Sequence, residues 1–152
     1  LLNIGCGDDI LDGWINADIS LPCDMQADVS YLPFKTGSLD KIKASHILEH
    51  VQDLVHAQRE LARVLKEGGE LEVIVPHYQS VDAWGDPTHC RAFSEMSFVD
   101  DFWHGFQMTS VGIQYLTKVF LLSPSKWLKA NFVRTSEPWE EVNMFARNCK
   151  VK

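Results

Sequence analysis

The opening run, Leu1-Leu2-Asn3-Ile4-Gly5-Cys6-Gly7, restricts this chain most. A short apolar segment predicts a buried strand that stops at G-x-G. Such a stop lets the backbone approach a bound ligand closely, and a side chain at Gly5 or Gly7 would block that approach. A plain tight turn accounts for the same residues equally well. A dinucleotide loop needs a third glycine at position 10, where this chain has Ile10, so a pyrophosphate cradle is incomplete and a nicotinamide-dependent oxidoreductase is disfavoured.

The run is followed by strand–helix–strand alternation. Trp14 to Ile19 predicts a second strand carrying Asp18 near its end, and Leu39 to Ala44 predicts another. Residues 53–66 predict a helix, with Leu54, Ala57, Leu61, Val64 and Leu65 on one face, Asp53 as N-cap and Gly68-Gly69 as the stop. Glu70 to Val75 is a β-rich run closed by Pro76. This order implies a parallel sheet with covering helices. In the tail, two strands are expected near 113–121 and 143–151, with a short helix containing Trp127 between them. Only nine residues separate Ile4 from Trp14, too few for an ordinary helical crossover, so the first helix is expected to be one turn or absent.

Two carboxylates extend the pattern. Asp18, at a strand end, can accept both hydroxyls of a ribose, although an N-cap or turn aspartate reads as well. Asp28, ten residues on, can accept an exocyclic adenine amine or simply close a loop.

These residues together resemble the class I methyltransferases, most closely the small type 11 methyltransferase domains. The matching residues are Asn3 to Gly7, Asp18, Ala27 to Phe34, Ser38 to Ile42, His46 to Val51 and Glu60 to Gly69, then the strand to Pro76. The resemblance implies an α/β, Rossmann-like methyltransferase fold: a mostly parallel central sheet, an antiparallel C-terminal strand, and helices on both faces. It implies S-adenosylmethionine as cofactor, leaving as S-adenosylhomocysteine. The implied cofactor set is Asn3, Gly5, Cys6, Gly7, Asp18, Ile19, Asp28, Val29 and His46. Asp18 would hold the ribose and Asp28 the adenine amine. Leu32 and Phe34 would flank the adenine, and His46 would face the methyl group. The family usually has an acidic residue where this chain has Asn3, which removes a charge attraction for the cofactor's amino group.

The segment 77–106 differs from the rest. It holds Tyr78, Trp84, Phe93, Phe98, Phe102, Trp103 and Phe106, with His77, His89 and His104. It is expected to carry one or two short helices near 94–103. Within a single domain spanning 1–152 it reads as a lid or insertion on the substrate side, or as ordinary core, because Trp and Phe are most often buried. Methyl transfer to a hydroxyl or amine invites a general base; His77, Asp86 and His89 are the catalytic candidates, with His46 as a further candidate base. Asp86 and His89 would act as orienter and base, unless Asp86-Pro87-Thr88-His89 is simply a turn capped by its own side chains.

Composition narrows the partners. A formal charge of −7 opposes a phosphate backbone, so nucleic acid is disfavoured. Lys126, Lys129, Arg134, Arg147, Lys150 and Lys152 read as a solvated face. Pro76 to Tyr78, Gly85 to His89 and Phe93 also resemble a subset of the family that includes sugar- and cell-surface-associated methyltransferases, and this resemblance implies a small-molecule or glycan acceptor. No apolar run is long enough for a membrane span, and no signal peptide is apparent. Cys6, Cys23, Cys90 and Cys149 lack C-x-x-C spacing and predict free thiols, no metal site and a cytoplasmic setting. His46-Ile47-Leu48-Glu49-His50 matches the H-x-x-E-H pattern of zinc hydrolases. That chemistry needs both histidines on one helix, whereas the helix is expected to begin near Asp53. The remaining alternative is a non-catalytic binding module on the same fold.

Overall fold

Alternation of apolar and polar residues draws seven strands into one sheet. The structure, a computed structural model, describes residues 1–20, 22–99, 102–103, 105–116 and 125–135. The strands are β1 (Leu2–Ile4), β2 (Ile15–Asp18), β3 (Met25–Gln26), β4 (Leu39–Ser45), β5 (Leu65–Pro76), β6 (Phe106–Leu116) and β7 (Ser125–Arg134). Their order is β3-β2-β1-β4-β5-β7-β6. β1 to β5 run parallel to one another, and β7 runs antiparallel between β5 and β6. The chain winds outward from β1 in one direction and from β4 in the other. The gap between their carboxyl ends is therefore the switch point at which open α/β sheets bind ligands.

Among the described residues the helices are α1 (Leu54–Val64), the four-residue α2 (Asp82–Gly85) and a 3₁₀ turn at Glu95–Phe98. Asp53 caps α1 by accepting the His56 N–H at 3.0 Å. Ala57, Gln58, Leu61, Ala62 and Val64 are its buried face. α1 ends earlier than the glycine pair suggests. Leu65 is already extended and paired with Leu39, while the Gly37 and Ser38 N–H groups take the last carbonyls, those of Arg63 and Val64. Gly68 does adopt a positive φ of 74°, but inside an irregularity of β5.

The crossover from β1 to β2 contains no helix, as its length requires. The tail departs from expectation. Trp127 lies in β7, where it pairs with Pro76 on one side and Gln114 on the other. The signal was a period of two, since Leu128, Ala130 and Phe132 are all buried. The expected strand at 113–121 starts earlier, as β6. The one at 143–151 lies outside the described residues, as do His104, Arg147, Cys149, Lys150 and Lys152. Of the tail cations within them, Lys129 pairs with Glu72 at 2.9 Å and Arg134 donates to the Leu65 carbonyl at 3.0 Å.

Phe93, Phe98, Trp103, Phe106 and Phe132 form one aromatic cluster in the core, with Trp103 and Phe132 stacked at 4.5 Å. Four of the seven aromatics of segment 77–106 are therefore core. Tyr78, Trp84 and Phe102 are exposed.

Candidate functional site

The glycine loop is built by strand ends. Gly5 and Gly7 have φ of 70° and 46°, a region only glycine enters cheaply. The Gly5 and Cys6 N–H groups donate to the Ala17 carbonyl, and the Gly7 N–H donates to Asp18 Oδ2 at 3.0 Å. A Cβ on Gly7 would meet nothing within 4 Å, so this glycine borders open space. A Cβ on Gly5 would meet Ile47 instead. Cys6 is buried. Burial first, then the nearby Asp18 carboxylate, push its thiol up, which leaves it a neutral packing group.

Asp18 accepts three hydrogen bonds: the Ser20 N–H and hydroxyl on Oδ1, and Gly7 on Oδ2. Burial raises its pKa, but these donors together with the Ile19 N–H outweigh it and hold the carboxyl below its usual range. It is ionised at neutral pH, with lone-pair capacity left on Oδ2. Ile19 beside it is 67% exposed, an apolar side chain open to a flat ring. Asp28 is exposed and uses Oδ1 on the Ser30 N–H at 2.7 Å, leaving Oδ2 free, while Val29 is buried. Leu32 is core, and Phe34 packs against that core. Asn3 is buried and turned inward, with Nδ2 donating to the Asp9 carbonyl at 2.7 Å and to Asn16 Oδ1 at 3.0 Å. It organises the loop beneath the glycines.

A pocket of about 830 Å³ opens at the carboxyl ends of β4 and β5. Its walls include His46, Glu49, His50, Asp86, His89 and Trp127. His46 sits at φ 54°, strained for a non-glycine residue, with its ring edge-on to Trp127 at 4.7 Å. Segment 88–91 is tied to 49–52 along its length. The Cys90 N–H donates to the Glu49 carbonyl at 2.7 Å, and Arg91 donates to the Val51 and Gln52 carbonyls at 2.6 Å each.

Asp86 and His89 reach this pocket, but not as a hydrogen-bonded pair. His89 Nε2 is 3.9 Å from Asp86 Oδ2, and its Nδ1 faces the Ala83 carbonyl at 3.2 Å. Asp86 Oδ1 accepts the Thr88 hydroxyl and N–H. These bonds hold its carboxyl below the usual range and make Asp-Pro-Thr-His a capped turn. Thr88 passes the contact on to His50 Nδ1 at 2.9 Å. His77 is not brought to the pocket. It is buried, accepts the Gln79 N–H on Nδ1 and points Nε2 at Glu95, 3.4 Å away. The spacing of residues 46–50 hinted at Glu49 and His50, but nothing local in the sequence joins them to His89. His46 and His50 lie before α1, in a turn rather than on one helix.

A methyltransferase-domain family model matches residues 15–73. An uncharacterised protein of Methanocaldococcus jannaschii is 31% identical over 100 residues, covering 64% of this chain and 44% of that protein. The chain spans less than half the length of the curated relatives it matches. The fold is similar to that in a complex between the Haloferax volcanii Trm112 methyltransferase activator and a methyltransferase, with TM-score 0.69, 14% identity, and 91% of this chain and 83% of that one covered. It is also similar to a SAM-dependent methyltransferase of Thermotoga maritima, a possible histamine N-methyltransferase, with TM-score 0.67, 19% identity, and 88% and 81% covered. No described helix is long and apolar enough to cross a membrane.

Proposed function

We propose that this chain, which has the class I methyltransferase fold and the type 11 methyltransferase-domain pattern, moves a methyl group from S-adenosylmethionine to an oxygen or nitrogen of a small-molecule or sugar acceptor. One observation carries the reading. The Gly5–Gly7 loop, locked to Asp18, and the histidine-lined pocket open on the same edge of the sheet, on either side of the switch point between β1 and β4.

When bound, the cofactor supplies an electrophilic methyl group on a sulfonium. Asp18 would take the ribose hydroxyls, exchanging the Ser20 hydroxyl for one of them. Gly7 leaves space for the ligand to lie close to the backbone, and Asp28 Oδ2 and Ile19 would receive the adenine. Asn3 offers no charge to the amino group. The protein's main task is then to hold an acceptor atom in line with the methyl carbon, in the pocket walled by His46, His89 and Trp127. His89 and His46 are the groups there able to take the acceptor's proton. Residues 77–106 would divide between the aromatic core and the acceptor wall within one domain. The setting would be the reducing cytoplasm, in keeping with the free Cys6, Cys23 and Cys90.

Calorimetric titration with S-adenosylhomocysteine tests the reading. One-to-one binding that is lost in Asp18→Ala, with the fold intact by circular dichroism, supports it. No binding at millimolar ligand would sink it. The result would favour a non-catalytic module, a reading for which the inward-turned Asn3 amide speaks.

A further inference from the structure

Glu49 is 1% exposed, yet neither of its carboxylate oxygens has a hydrogen-bond partner. A bare buried carboxylate is costly unless a cation offsets it. His46 Nδ1 lies 3.4 Å from Oε1, too long for a strong bond. Two further imidazoles converge on the same spot. One ligand atom each from Glu49, His50 and His89 lie within 4.8 Å of one another, and the His50 and His89 rings meet edge-on at 4.6 Å.

The hydrogen bonds around the rings fix which nitrogens are free. The Ala83 carbonyl can only accept, so the neutral His89 ring carries its proton on Nδ1 and has its lone pair on Nε2. The Thr88 hydroxyl gives its one hydrogen to Asp86 Oδ1 at 2.6 Å. It must therefore accept from His50 Nδ1, so the neutral His50 ring likewise has its lone pair on Nε2. A carbonyl behind one imidazole, and a carboxylate acting through a hydroxyl behind the other, are the outer partners that hold metal-ligating histidines in place.

We propose that Glu49, His50 and His89 bind one divalent transition ion. Two imidazole nitrogens and one carboxylate oxygen suit Zn²⁺, Mn²⁺ or Fe²⁺ better than Mg²⁺ or Ca²⁺. Three protein ligands leave coordination positions open, and all three residues line the pocket of about 830 Å³. This binding stands independently of the cofactor. Its use rests on the methyltransferase reading: with His89 Nε2 on the ion, His46 is the imidazole left to take the acceptor's proton, and the open positions would receive an oxygen of the acceptor, which favours a hydroxyl-bearing substrate such as a sugar.

The test is titration of tag-free, chelator-treated protein with Co²⁺ and Zn²⁺, without S-adenosylhomocysteine. Binding is read by calorimetry and by the visible Co²⁺ spectrum. One ion per chain is expected, displaced from Co²⁺ by Zn²⁺. Glu49→Gln and His89→Ala should weaken it at least ~100-fold, and Thr88→Val, which removes only the hydroxyl behind His50, about 10-fold. Circular dichroism and urea midpoints identify any variant that fails to fold, and Thr88→Val then carries the comparison. Absence of stoichiometric binding in the wild type, or equal affinity in folded variants, would overturn the site. Titrating S-adenosylhomocysteine separately shows whether the cofactor reading fails by itself.

Discussion

Gly5 and Ile47 meet across the switch point: a Cβ built on Gly5 would lie 2.8 Å from the Ile47 Cβ. The loop after β1 is thereby wedged against the chain leaving β4. The two glycines do different things. Gly5→Ala should destabilise the fold by roughly 2 kcal/mol or more, from positive-φ strain plus the collision with Ile47. Gly7→Ala should cost only ~1 kcal/mol of stability, its Cβ pointing into open space, but should weaken S-adenosylhomocysteine binding more than Gly5→Ala does among folded protein. Urea unfolding and calorimetry on both variants check the split, and equal stability losses would refute it.

The depressed Asp18 pKa makes a statement about acid. A carboxyl that titrates lower in the folded chain adds stability above its ordinary value of about 3.9, and loses it as the pH falls through the folded value. Asp18→Asn should therefore be less stable than wild type near neutrality. The difference should shrink as the pH falls below about 4. Urea midpoints at several pH values measure it. A gap independent of pH would mean that the hydrogen bonds, not the charge, matter.

Arg63 pins the loop before β4. Its guanidinium donates to the Phe34 and Leu32 carbonyls at 2.8 and 3.0 Å and pairs with Glu60, whose Oε2 accepts the Leu32 N–H. The Arg63 bond holds the Glu60 carboxyl below its usual range, against the opposing effect of burial. Arg63→Met should cost ~1–3 kcal/mol. Arg63→Lys should recover little of it, because an ammonium cannot span this fork. Full rescue by lysine in thermal unfolding would argue for charge alone.

Restoring the family's usual acid at position 3 should fail. In Asn3→Asp, a carboxylate would replace the amide donor against the Asp9 carbonyl and Asn16 Oδ1, in a buried site. A loss of at least ~2 kcal/mol in chemical denaturation is expected, with no gain in S-adenosylhomocysteine affinity. Tighter binding in a stable variant would show that Asn3 can turn outward.

What the sequence made legible was local. The strand before Gly5, the strand carrying Asp18, and α1 with its Asp53 cap follow from periodicity and capping. So does the missing first helix, from loop length. Trp127 was misread because tryptophan and lysine fit a helix as readily as a strand; pairing with β5 and β6 decided it. Glu49 and His89 could not be joined from spacing, because their approach depends on Cys90 and Arg91 binding carbonyls some forty residues back. His77 looked as suitable as His89 in the sequence, and only the packing of Phe93 and Glu95 around it separates the two.

The ties between 88–91 and 49–52 also bear on how the molecule comes together. The glycine loop meets Asp18 over a separation of 11 residues, whereas Thr88 meets His50 over 38 and Arg91 meets Val51 over 40. Closing the longer loops costs more chain entropy, and on a growing polypeptide it must wait for later residues to emerge. The glycine-loop end can form while the neighbouring histidine-lined pocket is still open chain. That chamber therefore records whether folding has run to completion.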